Sequence, residues 1–126
     1  MIGSLFQVEL TVADWPRSLV WYADVLDLPL LWRDDTGCFA LFQAGSTRIA
    51  LKAGQPSPGT VLLTFEVCDL DATLQRLAER GVMPEGPIKT SPEGYRRALI
   101  RDPDGYRISL FEWLARPARS NPLDRG

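Results

Sequence analysis

The stretch RDPDGYRISLFEW at 101–113 has an upstream counterpart in FQAGSTRIALKAG at 42–54. RISL (107–110) repeats RIAL (48–51) with a change only at the third position, Ala50 in one copy and Ser109 in the other. A four-residue match alone is weak. It gains force from a second match in the same order: LTVADWPRSL (10–19) lies over FEVCDLDATL (65–74) at an offset of 55, and RIAL lies over RISL at an offset of 59. The two registers bring Asp14 over Asp69, each standing where a helix N-cap is expected.

Working outward, both halves read alike. Residues 5–13 alternate with period two and form a strand. Asp14 caps a helix over about 15–26, with Pro16 in its first turn. Residues 28–34 and 38–43 are strands around the turn Asp35-Thr36-Gly37, and 47–53 is the fourth strand. In the second half 60–67 is a strand. Asp69 caps a helix running to about Arg80 and closed by Gly81. Residues 86–90, 95–101 and 106–113 are strands, the last two joined by a DPDG turn. The expected fold class is α+β, with two tandem β-α-β-β-β modules over about 5–53 and 60–113. GQPSPG at 54–59 links them within one domain over 1–114, and 115–126 is a polar C-terminal tail.

Alternation sorts the strands into two faces. Val8, Leu10, Val12, Ile49, Leu51, Leu63, Phe65, Val67, Ile108 and Leu110 form an aliphatic face, for which the two helices are the natural cover. The opposite face carries Gln7, Glu9, Thr11, Arg48, Ala50 and Lys52 in the first half. In the second half it carries Leu62, Thr64, Glu66, Arg107, Ser109 and Phe111. A mixture of polar, charged and aromatic groups suits either an exposed sheet face or the lining of a cleft.

Composition narrows the chemistry. The 126 residues are 45% hydrophobic and 24% charged, an ordinary balance for one globular domain. A formal charge of −2 predicts no general affinity for nucleic acid or anionic membrane. No apolar run is long enough to span a bilayer, and MIGSLFQVEL lacks the pattern of a signal peptide, so a cytoplasmic location is expected. The chain has no histidine, which excludes His-based triads and His-ligated metals. Cys38 and Cys68, thirty residues apart, read as two small apolar side chains and not as a disulfide or a zinc site.

The stretches VELTVADWPRSLVWYADVLDLPL, FEVCDLDATLQRLAERGV and RDPDGYRISLFE resemble the vicinal oxygen chelate superfamily of glyoxalases, extradiol dioxygenases and bleomycin-resistance proteins. The resemblance covers nearly all of 5–113. It implies curved mixed sheets that form a cleft, helices on the outer face, and a homodimer. In metal-dependent relatives each half supplies a His or Gln near the start of its first strand and a carboxylate in its last. The matching positions here are Gln7, Leu62, Ala50 and Ser109. Leucine and alanine have no donor atom, so the resemblance points to the metal-free, bleomycin-resistance-like branch, with no metal and no cofactor.

The remaining residues of the mixed face carry the functional expectations. Glu9 and Glu66 read either as paired carboxylates for acid–base work or as solvated strand carboxylates paired with Arg48, Lys52 or Arg107. Trp32, Phe39, Tyr95, Phe111 and Trp113 favour flat or apolar ligands, or serve as core or dimer contacts. Arg97 could grip an anionic group, but alternation leaves its face open. The expected ligand-binding set is Gln7, Glu9, Trp32, Phe39, Arg48, Ala50, Leu62, Thr64, Glu66, Tyr95, Ser109 and Phe111. It is expected to hold a small aromatic or amphipathic molecule, for sequestration or resistance. The alternatives are a metal-independent lyase or isomerase using Glu9 or Glu66 as base, and an interaction subunit.

Overall fold

A computed structural model describes residues 1–114; the tail expected at 115–126 lies outside the described residues. The first half contains strand β1 (Val8–Val12), helix α1 (Trp15–Val20), and strands β2 (Leu30–Asp34), β3 (Phe39–Ala44) and β4 (Thr47–Ala53). The second contains β5 (Leu62–Glu66), helix α2 (Leu70–Glu79), β6 (Lys89–Ser91), β7 (Tyr95–Arg101) and β8 (Arg107–Trp113). Each half is thus β-α-β-β-β. Each forms a four-stranded mixed sheet with the same topology, β1-β4-β3-β2 in one and β5-β8-β7-β6 in the other.

The repeat extends to the register. Val8 pairs with Ile49 in the parallel β1–β4 ladder, and Leu63 pairs with Ile108 in the parallel β5–β8 ladder. The offsets of the two sequence matches carry the first pair onto the second. Both caps form: Asp14 Oδ1 accepts from the Arg17 N–H at 3.2 Å, and Asp69 Oδ1 accepts from the Ala72 N–H at 3.0 Å. Gly81, at φ 83°, closes α2; its own N–H reaches the Ala78 carbonyl and the Val82 N–H reaches the Leu77 carbonyl. A side chain there would meet the left-handed backbone at a cost, and glycine does not.

Three local details differ from the expectation, the first being that the strand expected from residue 5 begins only at Val8 and leaves Gln7 ahead of it. The helix expected to run to 26 narrows to α1 and continues as a single π turn, Trp21–Val25, closed by the Leu26 N–H on the Trp21 carbonyl at 3.3 Å. The strand expected at 86–90 begins only at Lys89. Gly86 takes φ 71° and Pro87 has no N–H to give a ladder, so pairing starts after them.

The described residues divide into two compact units: residues 1–61 together with 102–106, and residues 62–101 together with 107–114. In the first, Leu10, Val12, Tyr22, Phe42 and Leu51 are fully buried; in the second, Leu70, Ile100 and Ile108 are. Each such side chain contributes about 1.5–3 kcal/mol by leaving water. α1 and α2 cover the aliphatic faces. Tyr22 lies 6.1 Å from Phe42, and the Leu70 N–H donates to Glu112 Oε1 at 2.7 Å. The mixed faces are therefore the ones without a helix of their own unit.

Candidate functional site

On the first unit's mixed face, the ladder sets Glu9 opposite Ala50, Ala50 opposite Leu41, and Phe39 opposite Lys52. Trp32 pairs with Leu41, and its ring centre lies 5.8 Å from that of Phe39. Gln7 directly precedes β1. Arg48 is engaged elsewhere: its guanidinium sits 4.3 Å over the Phe6 ring and donates to the Phe6 carbonyl at 3.3 Å. It does not pair with Glu9, which is exposed. Ala50 is fully buried and presents only a methyl group.

The second unit's mixed face is richer. Tyr95, Phe111 and Trp113 form a three-ring cluster with centroid separations of 5.4–5.9 Å and planes nearly perpendicular. Such edge-to-face contacts hold rings in fixed orientations. Thr64 and Leu99 flank Ser109 in the two adjacent ladders, and Glu66 and Arg97 flank Phe111 in the same way. The pairing of Arg97 with Phe111 fixes the face that the sequence left open: Arg97 lies on the mixed face. Leu62 pairs with Arg107 and is 43% exposed. Beside these residues lies a depression of about 130 Å³, whose lining includes Leu62, Lys89, Arg97, Leu99, Arg107 and Ser109.

The residues expected to bind ligand thus fall into two groups, each brought together by its own sheet. Gln7, Glu9, Trp32, Phe39, Arg48 and Ala50 belong to the first unit. Leu62, Thr64, Glu66, Tyr95, Ser109 and Phe111 belong to the second. Lys89 was missed because the turn before β6 hid the strand's true start. The signal available was Gly86-Pro87, which makes early pairing unfavourable.

The DPDG segment does more than turn the chain. Asp102 is 5% exposed and accepts three hydrogen bonds: Tyr22 Oη at 2.7 Å, Tyr106 N–H at 2.8 Å and Asp104 N–H at 2.9 Å. Asp104 accepts from the Ala13 N–H at 3.2 Å, and Tyr106 Oη donates to the Thr11 carbonyl at 2.8 Å. Burial pushes the Asp102 carboxyl above its ordinary range, with Asp104 adding to the rise, while the Tyr22 and backbone hydrogen bonds oppose it. Burial, reinforced by the Asp102 charge, also drives the Tyr22 hydroxyl far upward, so it remains a protonated donor. The cluster is built for anchoring, since its donors and acceptors satisfy one another.

Comparison with known proteins agrees with this architecture. The model of the Glyoxalase/Bleomycin resistance protein/Dioxygenase superfamily matches residues 4–110. The uncharacterized protein YraH of Bacillus subtilis (strain 168) is 32% identical, over 87% of this chain and 98% of its own length. The crystal structure of TnmS3, an antibiotic binding protein from Streptomyces sp. CB03234, matches with a TM-score of 0.75 and 28% identity. That match covers 89% of this chain and 97% of TnmS3. A superfamily structure from Nocardioides shares the fold, with a TM-score of 0.77 and 23% identity, over 93% of this chain and 87% of the other.

Proposed function

Because the chain belongs to the glyoxalase/bleomycin resistance protein/dioxygenase superfamily, we propose that it is a small-molecule binder of the sequestration or resistance type. On this reading it holds an aromatic or amphipathic molecule on the mixed faces of its sheets without the superfamily's metal. The observation that carries the reading is the Tyr95–Phe111–Trp113 cluster beside the depression on the second sheet. Fixed rings offer a large apolar contact at little entropic cost, which suits a flat ligand. The likeness to TnmS3, itself an antibiotic binding protein, supports the same class of function.

The donor set argues against a divalent cation at the superfamily's positions. Gln7 offers one neutral amide oxygen and Ser109 a neutral hydroxyl, while Ala50 and Leu62 offer hydrocarbon. A divalent ion needs several lone pairs at short range, and carboxylate or imidazole donors usually supply them. The general-base alternative draws no support from Glu9 and Glu66. Both are exposed on open sheet strands, where carboxylates are common and seldom catalytic.

A homodimer forms part of the proposal. β2 is an edge strand of its sheet, and Leu30, Leu31 and Trp32 are 39–55% exposed along it. An apolar edge of this kind invites covering, and a second copy is the occupant proposed. The two thiols, free among the described residues, suit a reducing, cytoplasmic setting.

A thermal-shift series with aromatic antibiotics, aromatic metabolites and divalent metals tests the function, because a binder of the native state raises its unfolding temperature. A saturable rise with an aromatic compound, unaffected by chelator, is the expected result. A tight, stoichiometric response to a transition metal, together with about one ion per chain by elemental analysis, would overturn it.

A further inference from the structure

The charges on the second unit's mixed face are distributed unlike those of the chain as a whole. The chain carries a formal charge of −2, yet this face concentrates cations. Lys89 stands directly opposite Arg97 in the β6–β7 ladder, and Arg101 directly opposite Arg107 in the β7–β8 ladder. Like charges facing each other across a ladder destabilise a sheet unless something neutralises them. One of the four is neutralised: Arg101 Nε donates to Glu85 Oε2 at 2.6 Å. The side chains of Lys89, Arg97 and Arg107 make no hydrogen bond or ion pair among the described residues.

Those three cations line the same depression together with Glu85, whose carboxylate is taken up by Arg101, and Ser109 stands among them. Ser109 is 3% exposed, and its hydroxyl makes no hydrogen bond among the described residues. Arg97 is also the ladder partner of Phe111, a member of the ring cluster. Cationic donors, a hydroxyl and fixed aromatic edges therefore lie side by side on one sheet face. The volume, about 130 Å³, is close to that of a cavity able to hold a benzene ring.

From this placement we propose that the depression is an anion seat, and that the ligand is an aromatic molecule bearing a carboxylate or phosphoryl group. Its anionic end sits among Lys89, Arg97, Arg107 and Ser109, and its ring rests against Tyr95, Phe111 and Trp113. The guanidinium of Arg97 supplies paired N–H donors that match such a group, and Lys89 adds a compact positive charge. The inference rests on the aromatic-binding reading above and narrows it to anionic ligands.

The test is a set of NMR titrations of the full-length protein with 2-naphthoate, 2-naphthyl phosphate and the uncharged 2-naphthamide. The expected result is that one or both anions bind, moving the amide signals of Lys89, Arg97, Leu99, Arg107 and Ser109. 2-Naphthamide should bind about tenfold more weakly, as should the preferred anion to Arg97→Gln. Arg17→Gln, exposed on α1 and away from both mixed faces, should leave affinity unchanged. Whichever anion binds more tightly identifies the group the seat prefers. Equal affinity for 2-naphthamide and the anions, with shifts confined to Tyr95, Phe111 and Trp113, would overturn the anion seat and leave the aromatic reading standing. Binding of none of the three compounds would overturn both. Arg97→Lys keeps the charge and guards against a folding artefact; it should recover part of the affinity lost in Arg97→Gln.

Discussion

Asp102 shows how a residue in a turn becomes a structural anchor. Its carboxylate receives one hydroxyl and two backbone N–H groups in a buried place. Asp102→Ala would leave all three without their acceptor and should cost about 3 kcal/mol at pH 7, measured by urea unfolding. Asp102→Asn keeps an oxygen for the two N–H groups and removes the charge, so its loss should be smaller. The pH dependence separates charge from shape. Burial raises the Asp102 carboxyl above its ordinary value, so the folded chain holds that proton more tightly than the unfolded chain. The stabilisation from this group is then full below the ordinary aspartate value and is lost as pH rises through the raised one. The stability of wild type relative to Asp102→Asn should therefore fall as pH rises above about 4. A difference that grows with pH would contradict the assignment.

Among the elements, α2 depends on two acceptors at its N-terminus. Asp69 takes the Ala72 N–H and Glu112, on β8, takes the Leu70 N–H. Arg96 on β7 adds an ion pair to Asp71 at 2.9 Å, and its hydrogen bonds hold the Asp71 carboxyl below the ordinary range. Asp71 is exposed, so this pair adds little to stability. Asp69→Ala should cost about 1 kcal/mol. Glu112→Gln, which keeps an acceptor oxygen, should cost less than Glu112→Ala. Denaturant unfolding of the three variants checks that ordering. The edge strand β2 gives a different kind of prediction. Leu31→Glu adds a charge to the exposed apolar edge; the proposed homodimer then requires a shift toward monomer in light scattering, with the far-ultraviolet circular dichroism unchanged.

For the molecule as a whole, the sheet repeat and the division into units do not coincide. Residues 102–106 join β7 to β8 in sequence yet belong to the first unit, through bonds to Tyr22, Ala13 and Thr11. A fragment ending at Val61 lacks those partners and also falls in the size range where domains are marginal. Such a fragment should be largely unfolded by circular dichroism, although it contains a complete β-α-β-β-β module. No helix among the described residues is long and apolar enough to cross a membrane. Much of this fold was legible in the chain, because period-two alternation, capping aspartates and a repeated RI-x-L strand are local signals that survive whatever surrounds them. That Val8, Ile49, Leu63 and Ile108 share one aliphatic face followed from those signals; their pairing, Val8 with Ile49 and Leu63 with Ile108, came from the tertiary structure. The hydrogen bond from Tyr22 to Asp102, eighty residues apart, did not. Nor did the gathering of Lys89, Arg97 and Arg107 around one depression. Alternation assigns a side chain to one of two faces only after the pairing partner is known, and that partner is chosen by contacts between strands distant in sequence. Local pattern therefore specified the elements and their repeat, and the long-range ladder registers specified which charges and rings came to share a surface.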